Sequence, residues 1–215
     1  MFYHIFDYLE QFDFPGAGMF QYITFRSACA VILSLLIATV VGKRIIRILQ
    51  KQQVGEEIRD LGLEGQMQKK GTPTMGGVII LLAILVPVIL FARLDNVYIQ
   101  LMIVSTIWLG LIGFLDDYLK VVLRRSDGLL PWQKMILQFV VTTVFAVYMV
   151  RYSGIELTML IPFSGGKYLN IGWLAIPLLY FAVIGTVNGV NFTDGVDGLV
   201  SSVTIMVATF FSVVA

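Results

Sequence analysis

Six stretches without a single aspartate, glutamate, lysine or arginine dominate this chain: residues 27–42, 71–92, 96–115, 135–150, 168–193 and 198–215. A helix needs about 20 mostly apolar residues to cross the roughly 30 Å hydrocarbon core of a bilayer, where the backbone must satisfy its own hydrogen bonds. The two shortest stretches can be lengthened by interfacial neighbours such as Tyr22, Phe25 and Trp132. The expected fold is an all-α polytopic membrane protein, one transmembrane domain over 1–215 with six spanning helices. Composition agrees, since 58% of the residues are hydrophobic and 13% charged, where soluble domains hold roughly 45–50% and about 25%. The 15 basic and 14 acidic residues leave a net charge of +1, which argues against nucleic acid as a partner. Cys29 has no second thiol to pair with, so no disulfide forms within the chain.

Orientation follows from the distribution of basic residues, because lysine and arginine collect in cytoplasmic connections. Lys43, Arg44, Arg47, Lys51, Arg59, Lys69 and Lys70 lie between the first two stretches, and Lys120, Arg124, Arg125 and Lys134 lie between the third and fourth. Only Arg26, Arg93, Arg151 and Lys167 fall on the opposite side. Connections 43–70, 116–134 and 191–198 are therefore expected in the cytoplasm, with the 151–167 loop and the N-terminus outside. Residues 1–20 carry Asp7, Glu10 and Asp13 but no lysine or arginine, which excludes a secretory signal and fits an aromatic arm at the membrane surface. The last stretch stops at Ala215 with no charge or aromatic anchor, so the chain is expected to be the N-terminal portion of a longer parent.

Three polar segments meet the expected cytoplasmic face. The first is Lys69-Lys70-Gly71-Thr72-Pro73-Thr74-Met75-Gly76-Gly77, where glycines admit close backbone approach and a helix start with two lysines favours an anion such as phosphate. A capped helix start with headgroup-anchoring lysines explains the same residues. It is not a Walker A loop, which places its lysine after the second glycine. The second is Asp116-Asp117, where two adjacent carboxylates repel each other at the negative end of an apolar helix. A divalent cation removes both penalties, and so do the nearby cations Lys120, Arg124 and Arg125. The third is Asn191-Phe192-Thr193-Asp194-Gly195-Val196-Asp197-Gly198, whose Asn191, Asp194 and Asp197 recur every three residues. On a helix they share a face, and around glycine turns they converge; a plain polar turn is the alternative. Val196 breaks a calcium-loop pattern. The single histidine, His4, is on the outer arm, so no serine or cysteine triad assembles inside. Phosphoryl transfer remains, since it needs only carboxylates, a divalent ion and basic groups.

Together these segments resemble phospho-N-acetylmuramoyl-pentapeptide transferase, a bacterial inner-membrane enzyme of the polyprenyl-phosphate N-acetylhexosamine-1-phosphate transferase superfamily. The resemblance rests on Tyr22-Ile23-Thr24-Phe25-Arg26, Gly71 to Gly77, Gly113-Phe114-Leu115-Asp116-Asp117-Tyr118 and Asn191 to Gly198. It implies ten transmembrane helices in a full-length parent, a homodimer, and Mg²⁺-dependent transfer of the phospho-sugar-peptide from UDP-MurNAc-pentapeptide to undecaprenyl phosphate, giving lipid I and UMP. By motif, Asp116 and Asp117 match the catalytic pair, with Asp117 the activator of the lipid phosphate or a metal neighbour. Lys69 and Thr74 match the nucleotide-sugar pocket, and Asn191, Asp194 and Asp197 line the same cleft. The family's main Mg²⁺ ligand and its histidine-rich loop match nothing before Ala215, so the chain alone is expected to be inactive. A related UDP-N-acetylhexosamine transferase is the nearest rival. A transporter or channel is disfavoured because the carboxylates sit at span ends rather than in their middles.

Overall fold

The structure is a computed structural model that describes residues 1–52, 75–123, 128–151, 157–161, 164–194 and 198–214. Its helices are α1 (Phe2–Glu10), α2 (Ile23–Leu36), α3 (Gly42–Gln52), α4 (Gly77–Phe91), α5 (Val97–Val121), α6 (Pro131–Arg151), α7 (Ala175–Thr193) and α8 (Leu199–Val214). Among the described residues four helical stretches are long and apolar enough to cross a membrane: Ile23–Lys51, Val97–Val121, Pro131–Arg151 and Gly172–Thr193. Gly77–Phe91 and Leu199–Val214 are apolar but shorter. The chain is a helical, multi-pass membrane protein, and large side chains such as Leu35, Met102, Phe181 and Val213 stand exposed along its helices, as lipid-facing residues do.

Several boundaries differ from those read in the sequence. The first span does not stop at Gly42, because a π turn over Ile37–Val41 joins α2 to α3 and residues 43–52 are helical. Helix α5 runs past the aspartates to Val121, and Asn191 to Thr193 belong to α7. Tyr168 is not part of a span. Strands β1 (Thr158–Leu160) and β2 (Tyr168–Asn170) pair antiparallel, with Met159 opposite Leu169. Gly165 and Gly166, at φ +69° and +90°, supply the left-handed turn between them.

Two compact units divide the chain, Met1–Lys134 and Met135–Ala215. In the first, α2 and α5 each pack on α4. Ala83 and Pro87, one turn apart on α4, are buried, and a Cβ on Gly110 of α5 would meet both methyls of Leu81 at 2.7 Å. Small residues at a crossing let helix backbones approach closely when lipid offers no hydrophobic drive. Asn96 caps α5, its side-chain oxygen accepting the Tyr98 N–H at 2.8 Å. The aromatic arm folds onto helix ends. Phe6 stacks on Phe20 at 3.8 Å, Phe2 meets Phe91 at 5.3 Å, and the Tyr3 ring faces both Arg26 and Arg93.

The second unit is tied by neutral polar groups. The Asn188 amide of α7 donates to the Gln138 side chain of α6 at 2.9 Å, and the Thr143 and Tyr180 hydroxyls lie 2.6 Å apart. Gln138 is 2% exposed. Such hydrogen bonds hold helices together where water cannot compete.

Candidate functional site

Asp116 is a buried residue in the last turns of α5, where the helix dipole alone disfavours a carboxylate. Three donors offset that penalty. Oδ2 accepts from Lys120, one turn on in the same helix, at 2.8 Å, and from Lys134 in the first turn of α6 at 2.8 Å. Oδ1 accepts the Leu129 backbone N–H at 2.8 Å. The chain reaches that contact through Gly128 at φ +59°, where an added Cβ would lie 2.5 Å from Oδ1 and 2.7 Å from the Lys120 Cε. Only glycine fits there, for both reasons.

Asp117 is half-buried, and as the next residue round the helix it points about 100° away from its neighbour. The Met75 backbone, Lys120 and Lys134 all act on it electrostatically. Met75 holds a left-handed φ of +66°, an uncommon and strained conformation for a residue with a side chain. Immediately after it the Val78 N–H bonds the Met75 carbonyl at 3.3 Å and α4 begins. The end of the glycine-rich segment therefore meets the aspartate pair directly.

Lys69, Thr74 and Asp197 lie outside the described residues. Asn191 stands exposed on the last turn of α7. Asp194 caps that helix in a right-handed conformation, its N–H bonding the Val190 carbonyl at 3.1 Å, so the three-residue spacing from Asn191 stays helical. Both residues belong to the second unit. The structure thus brings Asp116 and Asp117 together with Met75, Lys120 and Lys134. Among the described residues no three histidine, cysteine, aspartate or glutamate side chains converge. Asp117, half-buried and less engaged among the described residues than its neighbour, fits a hard cation that uses one or two carboxylates and keeps its waters; Asp116, with its oxygens engaged, does not.

Gly128 and the direct Lys134 contact were not legible in the sequence. Lys134 is eighteen residues from Asp116 and reaches it only because α6 starts beside the end of α5. Lys120 was legible, since residues four apart on a helix are neighbours.

Residues 99–215 match the model of glycosyl transferase family 4. The chain belongs to that family. Within glycosyl transferase family 4 its affinity is sharper, because residues 69–81 match the phospho-N-acetylmuramoyl-pentapeptide-transferase signature 1, which bears out the resemblance drawn from Gly71 to Gly77. Curated proteins named phospho-N-acetylmuramoyl-pentapeptide-transferase align along nearly all of this family member. The one from Flavobacterium psychrophilum is 44% identical over 99% of this chain and 64% of its own length. Those from Porphyromonas gingivalis and Parabacteroides distasonis are each 40% identical over 100% of this chain and 61% of their own. The chain therefore spans less than two thirds of these relatives. The Flavobacterium alignment runs over 262 positions, more than the 215 residues here, so that relative also carries residues with no counterpart in this chain.

Proposed function

We propose that this chain serves the transfer of phospho-N-acetylmuramoyl-pentapeptide from UDP-MurNAc-pentapeptide to undecaprenyl phosphate in peptidoglycan synthesis. The observation that carries the reading is that the Met75 backbone, inside the family signature over 69–81, acts on Asp117 at the acidic end of α5. A phosphate oxygen of the acceptor lipid attacks the sugar-linked phosphorus of the donor. The new P–O–P bond forms as the bond to UMP breaks, so one diphosphate linkage replaces another. Both reactants are anionic, and positive charge held beside Asp117 by Lys120 and Lys134 offsets their repulsion. Asp117 orients the acceptor phosphate. Lys69, Thr74, Asn191, Asp194 and Asp197 serve the nucleotide-sugar side.

Mg²⁺ is the cofactor of this reading; held by Asp117, it supplies charge neutralisation at the phosphates. In this reading the chain supplies six spans of a ten-span parent, with the N-terminus outside, the site on the cytoplasmic face of a bacterial inner membrane, and the full-length parent a homodimer. With Cys29 replaced by serine and a single cysteine placed at Gln53, an impermeant external reagent should leave intact cells unlabelled; labelling reverses the topology. For the chemistry, the active transferase carrying this sequence should release UMP from UDP-MurNAc-pentapeptide in an undecaprenyl-phosphate-dependent way. Equal or faster release from UDP-N-acetylglucosamine would move the assignment to a different transferase of the superfamily.

A further inference from the structure

We propose that Asp116 is a positioning residue, which pins Lys120, Lys134 and the turn at Gly128 beside Asp117 and does not itself meet substrate. The proposal rests on Asp117 as the carboxylate that faces the reacting phosphates. A carboxylate offers about four acceptor positions, and Asp116 has filled three, with Lys120, Lys134 and the Leu129 N–H each at 2.8 Å. The fourth is crowded. Gly128 lies so close to Oδ1 that a methyl group there would sit at 2.5 Å, and the Asp116 side chain is only 12% exposed. An arriving phosphate would also meet a like charge. The lysines are different. They are 42% and 25% exposed, and each ammonium has two further N–H bonds to give after serving Asp116. One carboxylate shared by two ammonium groups leaves a net positive charge, fixed in place, next to Asp117. A long lysine side chain otherwise loses much rotamer freedom when it is ordered, so a buried anchor that orders two of them lowers the cost of presenting charge to the transition state.

Asp116→Asn is the informative variant, because the amide oxygen still accepts the Leu129 N–H while the charge that holds the lysines is gone. In the active transferase it should lower kcat about tenfold without raising KM for either anionic substrate, since a negative charge has been removed. In a Lys120→Met/Lys134→Met background the same change should cost less than about threefold more, because its targets are absent. Gly128→Ala, which pushes on the carboxylate and touches no charge, should reproduce the kcat loss. ¹³C-methylated Lys120 and Lys134 should give dispersed NMR signals in the parent and collapse toward free lysine in Asp116→Asn. An undiminished loss in the lysine-free background, normal kcat in Gly128→Ala, or unmoved lysine signals would overturn the proposal. If Asp116→Asn does not fold, Gly128→Ala and the lysine signals decide; if the lysine-free background is too slow to follow, the signals decide alone. Asp117→Asn keeps the two readings apart. Retained turnover there sinks the role given to Asp117, whereas a dead Asp117→Asn with independent Asp116 and lysine effects sinks only this one.

Discussion

The acidic end of α5 and the polar end of α7 are built on opposite plans. Asp116 is surrounded by donors from two helices and a turn. Asn191 and Asp194 stand exposed, and among the described residues neither side chain has a hydrogen-bond or ion-pair partner. A carboxylate saturated within the protein can shape its surroundings but has little left for a ligand. An exposed one contributes nothing to folding and remains available. Two motifs of similar composition thus divide into one that organises and one that waits, with Asp117 between them in character: under the influence of the Met75 backbone and half open.

That contrast breaks most readily at Asp117. Asp117→Asn in the active transferase should lower kcat by about 100-fold or more, the scale of a group acting on the transition state; more than a tenth of parental UMP release from folded protein would end its catalytic role. Asp116→Ala should act on stability as well as rate, since it strands the Leu129 N–H and two ammonium groups. A loss of about 2 kcal/mol is expected in denaturant titration, and an unchanged midpoint would show that the cluster contributes nothing to folding. Asp194→Asn should do the reverse, leaving the midpoint alone while raising donor KM about tenfold; a stability loss without a KM change would place Asp194 with Asp116 instead. Gln138→Leu sets the floor. It removes an intramembrane hydrogen bond worth about 0.6 kcal/mol, so a larger effect on turnover than on stability would assign that pair a function.

The sequence reading located the spans through missing charges and failed where a charge or a glycine does not end a helix. Asp116 and Asp117 looked like the boundary of α5, but with Lys120 and Lys134 neutralising the first of them the helix continues to Val121. Gly42 looked like a stop, yet α3 carries on from it with Lys43, Arg44, Arg47 and Lys51. Tyr168 was counted into a span because it bears no charge, and its pairing with Leu160 depends on a partner eight residues earlier that no periodicity announces. The aspartate pair and the Asn191 segment were visible because polar residues beside apolar runs demand a reason. What distinguishes their roles is tertiary, in a lysine eighteen residues away and the space above one glycine.

The π turn in the first span has a consequence for anyone mapping that helix. The Gly42 N–H reaches back to the Ile37 carbonyl, five residues rather than four, so the turn holds one residue more than a regular helix needs. Each residue of an α-helix advances about 100°. A helical wheel drawn straight through Ile23–Lys51 therefore assigns the two ends to mismatched sectors, and Arg26 and Arg44, eighteen residues apart, share a compass bearing on it that the backbone does not honour. Deleting one residue between Ile37 and Val41 should therefore restore a regular helix and leave the outer arm and the basic stretch facing as they do now, whereas the same deletion in a regular part of the span would turn everything beyond it by about 100°.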